Sequence, residues 1–373
     1  MYQLLAVCPM GLESIVAKEI RDLGYETRVE NGRIYYHGDV EAIALSNLWL
    51  RTADRVKLVV GEFEVHTFDN LFEKVKALPW EQFIPADGAF PVQGRSLKSK
   101  LHSVPDVQAI TKKAIVEKLK QAHQVQGWLD ESGVKYPIEV NILKDKALLT
   151  IDTSGSGLNK RGYRLAQGEA PIKETLAASL VKLANWTGDT SLIDPFCGSG
   201  TIAIEACLIA QNIAPGFNRS FISEQWDFMP DGLYERLRAE ADAQADYDKD
   251  ITIYASDIDP QMIDIAQRNA DEVGVGDIIQ FEVKDINTLT IEYDGPIGLI
   301  GNPPYGERIG DRDEVEEMYR YLGTLLKRNP KLSLYIMTSH KEFEYLVNQK
   351  ATKRRKLFNG YIETTYYQYW AKQ

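Results

Sequence analysis

The sequence predicts an α/β protein. Its C-terminal half is expected to form a doubly wound parallel sheet with an antiparallel terminal strand, preceded by a smaller α+β region. Three observations predict this. From about residue 171 short apolar runs alternate with amphipathic stretches, the pattern of strands and helices in a parallel sheet covered on both faces. Before that point the pattern is shorter and reads β-α-β-β-α-β. Two C-terminal apolar runs end in Gly- or Pro-rich turns, Asp194 to Thr201 and Asn302 to Gly306, where open α/β sheets bind ligands.

The elements follow in order. Tyr2–Cys8 is a strand, and Leu12–Leu23 is a helix that stops before Gly24. Thr27–His37 is a hairpin about the turn pair Asn31-Gly32. Glu41–Leu50 is helical and Val56–Val65 extended, which completes the ferredoxin-like order over residues 1–65. A second unit spans 66–165. It holds a helix at Phe68–Leu78, a strand beginning at Ala89–Val92 and a long amphipathic helix at Asp106–His123 with Val107, Ile110, Ala114, Ile115 and Leu119 on one face. A hairpin follows at Ile138–Leu143 and Ala147–Asp152. The polar, Gly-rich run from Ser154 to Arg164 marks the boundary before a third unit, 166–373.

In that third unit, helices are expected at Thr175–Leu183, Thr201–Ala210, Pro260–Val273 and Val315–Leu326. Strands are expected at Ser191–Ile193, Thr252–Ser256, Ile279–Val283, Ile297–Ile300 and Leu332–Met337, with two more in the last 20 residues. Thr364 to Trp370 is aromatic and β-prone, suited to the antiparallel strand. Residues 231–250 read as a solvated helix or an insertion.

At 373 residues two or three domains are expected, and no apolar stretch is long enough to span a bilayer. Tyr2 to Pro9 lacks a basic n-region and reads as a strand rather than a leader. Cys8, Cys197 and Cys207 show no metal-ligand spacing and cannot all pair, so no metal is expected and a reducing cytoplasm is the natural compartment. The net charge of -11 is unevenly placed. Residues 1–170 carry 22 Lys+Arg and 22 Asp+Glu, so the whole excess lies beyond them, much of it in 221–250 with nine acids against three bases. Residues 92–120 carry seven Lys/Arg and two acids. Such a stretch is compatible with phosphate binding or with a solvated helix face.

Asn302-Pro303-Pro304-Tyr305 is the most informative motif. An exocyclic amine on a nucleobase shares its lone pair with the ring and is a poor nucleophile. An Asn side-chain oxygen and a Pro-Pro carbonyl can each accept one N–H and aim the lone pair, and prolines bring no competing N–H. Tyr305 offers a flat face for stacking. The alternative is a Pro-rich turn that simply ends a strand. The loop Asp194-Pro195-Phe196-Cys197-Gly198-Ser199-Gly200-Thr201 joins a strand to a helix and lets the backbone approach a ligand closely. It has neither G-x-G-x-x-G spacing nor a P-loop Lys. Asp257 ends the second strand, where a carboxylate can accept ribose hydroxyls. Asp259 either shares that role or caps the helix opened by Pro260. Asp285 ends the third strand.

Together these motifs resemble class I S-adenosylmethionine-dependent methyltransferases, with a Rossmann-like sheet. Residues 66–165 resemble a THUMP RNA-binding domain, on the stretch from Val92-Gln93-Gly94-Arg95-Ser96 through Ser103-Val104-Pro105-Asp106 to Lys112-Lys113-Ala114. The whole is similar to the THUMP-containing guanine-N2 RNA methyltransferases, including the N-terminal half of the bacterial 23S rRNA enzymes. The resemblance implies S-adenosyl-L-methionine as cofactor, held by Asp194, Phe196, Cys197, Gly198, Ser199, Gly200, Thr201, Asp257, Ile258, Asp285, Ile286 and Asn302. It implies Asn302, Pro303, Pro304 and Tyr305 as the catalytic set. RNA contacts would come from Arg95, Lys98, Lys100, Lys112 and Lys113, and from Arg308, which otherwise is a surface Arg. The stretches 161–164 and 170–174 would close over the cofactor. The implied partner is 23S rRNA or a ribosome assembly intermediate. The rivals are a tRNA guanine-N2 enzyme, an adenine-N6 enzyme, and a non-enzymatic RNA-binding factor that keeps the fold as a scaffold.

Overall fold

The computed structural model describes residues 1–165, 171–292, 295–305 and 311–371. They divide into two units. One comprises Met1–Val7, Ala17–Leu158 and Ser220–Arg238, the other Cys8–Val16, Asn159–Arg219 and Ala239–Gln373.

The first half of the chain runs β1 (Tyr2–Val7), α1 (Glu13–Asp22), β2 (Arg28–Glu30), β3 (Arg33–Gly38), α2 (Val40–Trp49), β4 (Arg55–Glu64), α3 (Phe68–Lys76), β5 (Val92–Leu97), α4 (Val104–Ala122), β6 (Ile138–Leu143) and β7 (Lys146–Asp152). Local chemistry starts the helices. The Asp39 carboxylate caps α2 by accepting the Ala42 N–H, and the Thr67 hydroxyl caps α3 through Asn70. All seven strands form one sheet, in the order β2-β3-β1-β4-β7-β6-β5. The ferredoxin-like strands and the later hairpin therefore share a ladder, joined where β4 pairs antiparallel with β7 across a bulge near Gly61.

Residues 231–250, expected as a solvated helix or an insertion, hold a helix at Leu233–Ala243 that is solvated on one face and buried on the other. Residues 220–238 pack within this first unit. The Trp226 indole N–H donates to the Lys135 carbonyl at 3.0 Å, and its ring stacks on Tyr136 at 5.2 Å. In the helix that follows, Leu233, Tyr234, Leu237 and Ala241 are buried while Glu235, Glu240 and Asp242 face solvent. Net charge averages over the two faces of a helix and hides the apolar stripe.

The second half runs α5 (Glu174–Leu183), β8 (Ser191–Asp194), α6 (Thr201–Ala210), α7 (Leu233–Ala243), β9 (Ile253–Asp257), α8 (Pro260–Glu272), β10 (Ile279–Val283), β11 (Ile297–Gly301), α9 (Asp311–Arg328), β12 (Leu332–Thr338), α10 (Phe343–Val347), β13 (Lys353–Asn359) and β14 (Ile362–Tyr369). The sheet order is β10-β9-β8-β11-β12-β14-β13. The first five are parallel, and β14 runs antiparallel between β12 and β13, as the aromatic terminal stretch suggested. The core packs Ile193, Leu299, Leu334 and Ile336 of the sheet against Tyr319 and Leu322 of α9 and Phe343 of α10. From β8 the chain moves to β9 on one side, and β11 lies on the other. That reversal opens a crevice at the carboxyl ends of the strands. Among the described residues no helix is long and apolar enough to cross a membrane.

Candidate active site

A cavity of about 370 Å³ lies at the ends of β8, β9, β10 and β11. This is within the usual size of small-molecule sites. Its walls bring together residues far apart in sequence: Phe196, Cys197, Gly198, Ser199 and Thr201 from the loop after β8, Asp257 and Ile258 after β9, Asp285 and Ile286 after β10, and Asn302 and Pro304 after β11. Asp194, Gly200, Pro303 and Tyr305 lie beside it without lining it. Arg95, Lys98, Lys100, Lys112 and Lys113 belong to the first unit. Of these Lys112 is already engaged: its ammonium pairs with Glu131 at 2.6 Å and sits 3.4 Å above the Phe90 ring. Arg308 lies outside the described residues.

The glycine loop is fixed from three directions. Gly200 sits at φ +81, and a Cβ there would approach that of Ala266 at 3.0 Å, so only glycine fits without strain. The Gly198 N–H donates to one Asp257 oxygen at 2.9 Å, while the other accepts the Asp259 N–H at 3.0 Å. Each carboxylate oxygen carries two acceptor positions, so Asp257 keeps capacity for a hydroxyl. The amide of Asn269, buried on α8, donates to the Ser199 carbonyl at 3.1 Å. Asp259 caps α8 by accepting the Gln261 N–H at 2.8 Å, so its structural alternative is realised. Asp285 likewise caps a short 3-10 turn while lining the cavity.

Burial governs the electrostatics below the loop. Asp194 is fully buried, its Oδ1 accepting the Phe196 N–H at 3.3 Å. Loss of solvation, aided by the Asp257 charge, pushes its carboxyl from an ordinary 3.8 up to about 8. Burial also drives the Cys197 thiol well above its ordinary range, helped by Asp194 and Asp257, so it is not a poised nucleophile.

The Asn302 motif is tied down by residues that the sequence did not single out. The Tyr305 hydroxyl donates to Asn302 Oδ1 at 2.7 Å and accepts from the Asn359 amide at 3.3 Å. Tyr319 of α9 donates to the Pro304 carbonyl at 3.2 Å and shares a 2.8 Å hydrogen bond with Thr338. Pro171, Pro195, Ile202, Met262, Lys284 and Met318 also line the cavity. Pro195 belongs to the glycine loop and Pro171 to the 170–174 stretch, whereas nothing in the spacing of Ile202, Met262, Lys284 and Met318 distinguishes them from core or surface positions. Arg164 was legible as part of the 161–164 stretch, without a partner of its own. It pairs with Glu174 at 3.0 Å and donates to Thr201 Oγ1 at 2.9 Å, pinning the segment before α5 to the start of α6.

These walls fit a nucleoside carrying an amino-acid arm. Asp257 offers ribose acceptors, and Ile258, which is 69% exposed, offers with Ile286 and Met262 an apolar bed for a flat base. At Gly198 the space where a side chain would stand is open, which leaves room for the arm.

Comparison with known proteins agrees with this geometry. Residues 161–368 match the family described as RMKL-like, methyltransferase domain; residues 3–57 match the RlmL ferredoxin-like domain and 65–152 the THUMP domain. YpsC of Bacillus subtilis (strain 168), which carries the name of an RNA methyltransferase, is 55% identical over 100% of this chain and 96% of its own length. The ribosomal RNA large subunit methyltransferase K/L of Psychromonas ingrahamii is 33% identical over 95% of this chain, which spans 48% of that protein. Several solved structures cover all of this chain, among them the following two. SMU.472, named as a methyltransferase and crystallised in complex with SAH, is 45% identical over 98% of its length with a TM-score of 0.96. A Listeria monocytogenes (str. 4b F2365) protein named as a predicted N6-adenine-specific DNA methylase is 53% identical over 96% of its length with a TM-score of 0.95. The chain belongs to the RMKL-like methyltransferase family, with an RlmL ferredoxin-like domain and a THUMP domain ahead of an S-adenosylmethionine-dependent catalytic sheet.

Proposed function

We propose that this protein methylates the exocyclic N2 of a guanine in RNA, with 23S rRNA or a ribosome assembly intermediate in the cytoplasm as substrate. The observation that carries the reading is the placement of Asn302 and Pro304 on the same cavity as Asp257, Asp285 and the Gly198–Ser199 loop. S-adenosylmethionine, when bound there, supplies an electrophilic methyl group. Asp257 accepts the ribose hydroxyls, Asp285 the adenine amino group, and Gly198 and Ser199 face the methionine arm. Asn302 Oδ1 and the Pro303 carbonyl accept the two amine N–H groups and aim the nitrogen lone pair inward. Tyr305 turns from its bond to Asn302 and stacks on the base. Positioning and desolvation provide the acceleration. The nitrogen becomes cationic on methylation and sheds its proton to solvent, so no general base is required.

A base inside a helix cannot reach the motif, so the target is unpaired or flipped. Residues 66–165 hold a neighbouring RNA element through shape and phosphates. Their exposed cations Arg95, Lys98, Lys100 and Lys113 are the contacts, and Lys112 supports the fold instead. The names of the YpsC and K/L relatives support RNA, and the K/L name supports rRNA. The name of the Listeria relative favours a second reading, adenine N6 in DNA.

A labelled-methyl assay with unmodified rRNA, tRNA and duplex DNA, digested to nucleosides, decides between them. N2-methylguanosine from rRNA is the expected product. The same product from tRNA alone moves the substrate. N6-methyladenosine, or label in DNA, overturns the reading.

A further inference from the structure

The hairpin formed by β13 and β14 is not part of the cavity, yet three observations point it at a nucleic acid. First, its tip lies beside the Asn302 motif. Asn359, the last residue of β13, donates its side-chain amide to the Tyr305 hydroxyl at 3.3 Å. Second, the tip presents an aromatic ring. The register pairs Asn359 with Ile362, leaving a two-residue loop, Gly360-Tyr361. Gly360 has φ +61 and Tyr361 does not share the positive φ, the signature of a type II′ turn with glycine first. Tyr361 is fully exposed. Third, the strand leading to the tip is basic. Lys353-Arg354-Arg355-Lys356 stand consecutively, and residues 351–373 hold five bases and one acid in a chain of net charge -11.

Charge on an edge strand also discourages strand-to-strand aggregation. That role explains the cations but neither the exposed ring nor its position. Lys356–Glu363 at 2.6 Å is exposed on both sides, and Arg354 pairs at 3.3 Å with a Glu344 that is 25% exposed while its own side chain stays in solvent; surface pairs of this kind are weak enough to exchange for a phosphate.

We propose that the β13–β14 hairpin is an RNA-contact element of the active site: Lys353 and Arg354 meet phosphates, and Tyr361 stacks on an unpaired nucleobase beside the target. The proposal deepens the RNA methyltransferase reading and rests on it for the choice of ligand. Stacking on an aromatic ring is tolerant of sequence, so Tyr361 adds grip rather than base choice.

The test uses the full chain, an unpaired RNA oligonucleotide followed by fluorescence anisotropy, and methyl transfer to rRNA. Tyr361→Ala is expected to weaken oligonucleotide binding and raise KM for rRNA roughly tenfold, with kcat unchanged, and Tyr361→Trp to restore both. Lys353→Ser with Arg354→Ser is expected to lower affinity and to flatten the plot of log affinity against log salt by roughly 0.7 per lost phosphate contact. Calorimetric binding of S-adenosylmethionine, unchanged in every variant, excludes misfolding as the cause. Wild-type affinity, KM and salt slope in these variants overturn the proposal while leaving the functional reading intact. RNA bound through the hairpin but never methylated by the wild type overturns the functional reading and upholds the hairpin.

Discussion

Asn302 Oδ1 accepts the Tyr305 hydroxyl at 2.7 Å, which takes one of its two acceptor positions and leaves the other open. Turning Tyr305 away frees the second at a cost of about one hydrogen bond, about 1 kcal/mol net. Asn302→Ala should reduce turnover to background while calorimetry finds S-adenosylmethionine binding close to normal. Wild-type turnover would remove Asn302 from the mechanism. Tyr305→Phe keeps the stacking face and deletes the competing donor, so kcat should stay within about tenfold of wild type, whereas Tyr305→Ala should lose roughly a hundredfold. Equal losses in the two would show that the hydroxyl, not the ring, matters. Asp194 gives a pH prediction. Its folded carboxyl is raised to about 8, so the folded state holds a proton that the unfolded chain has released. This contribution to stability is complete below about pH 4, declines as pH rises and is gone above about 8. Melting temperatures of Asp194→Asn should therefore fall less steeply than wild type between pH 5 and 8. Parallel curves would show that Asp194 ionises normally.

At the scale of elements, the loops that matter are held by helical residues, Asn269 and Tyr319, that do not themselves line the cavity. Asn269 on α8 donates to the Ser199 carbonyl and accepts the Leu165 N–H at 3.0 Å, joining the glycine loop to the segment before α5. Asn269→Ala strands buried polar groups and should cost about 1–3 kcal/mol in denaturant unfolding, together with weaker cofactor binding. Unaltered affinity would limit Asn269 to the fold. The sequence announced the ends of β8, β9 and β11 clearly, because turn residues and acids follow apolar runs there. It could not announce Tyr319, which sits mid-helix among other apolar residues and acts through the Pro304 carbonyl. The helix period shows which face Tyr319 occupies but not what its hydroxyl meets.

For the molecule as a whole, charge and topology tell different stories. Net charge of -11 argues against a polyanionic partner, but the exposed bases on β5, the loop after it and α4, and the basic run on β13, are local, and binding responds to the local potential within a Debye length, about 8 Å in physiological salt. The sequence by itself determined the fold class, the order of the elements and most of the cavity wall. Strand periodicity, turn chemistry and the motifs after β8, β9 and β11 are local properties, written in residues next to each other. Only the tertiary structure decided that the ferredoxin-like strands and the later hairpin share one sheet, that residues 220–238 pack with the first unit, that Lys112 is engaged by Glu131, and that Asn359 and Tyr319 hold the Asn302 motif. Those are contacts between residues far apart in the chain, selected by burial and hydrogen-bond geometry that no local pattern encodes.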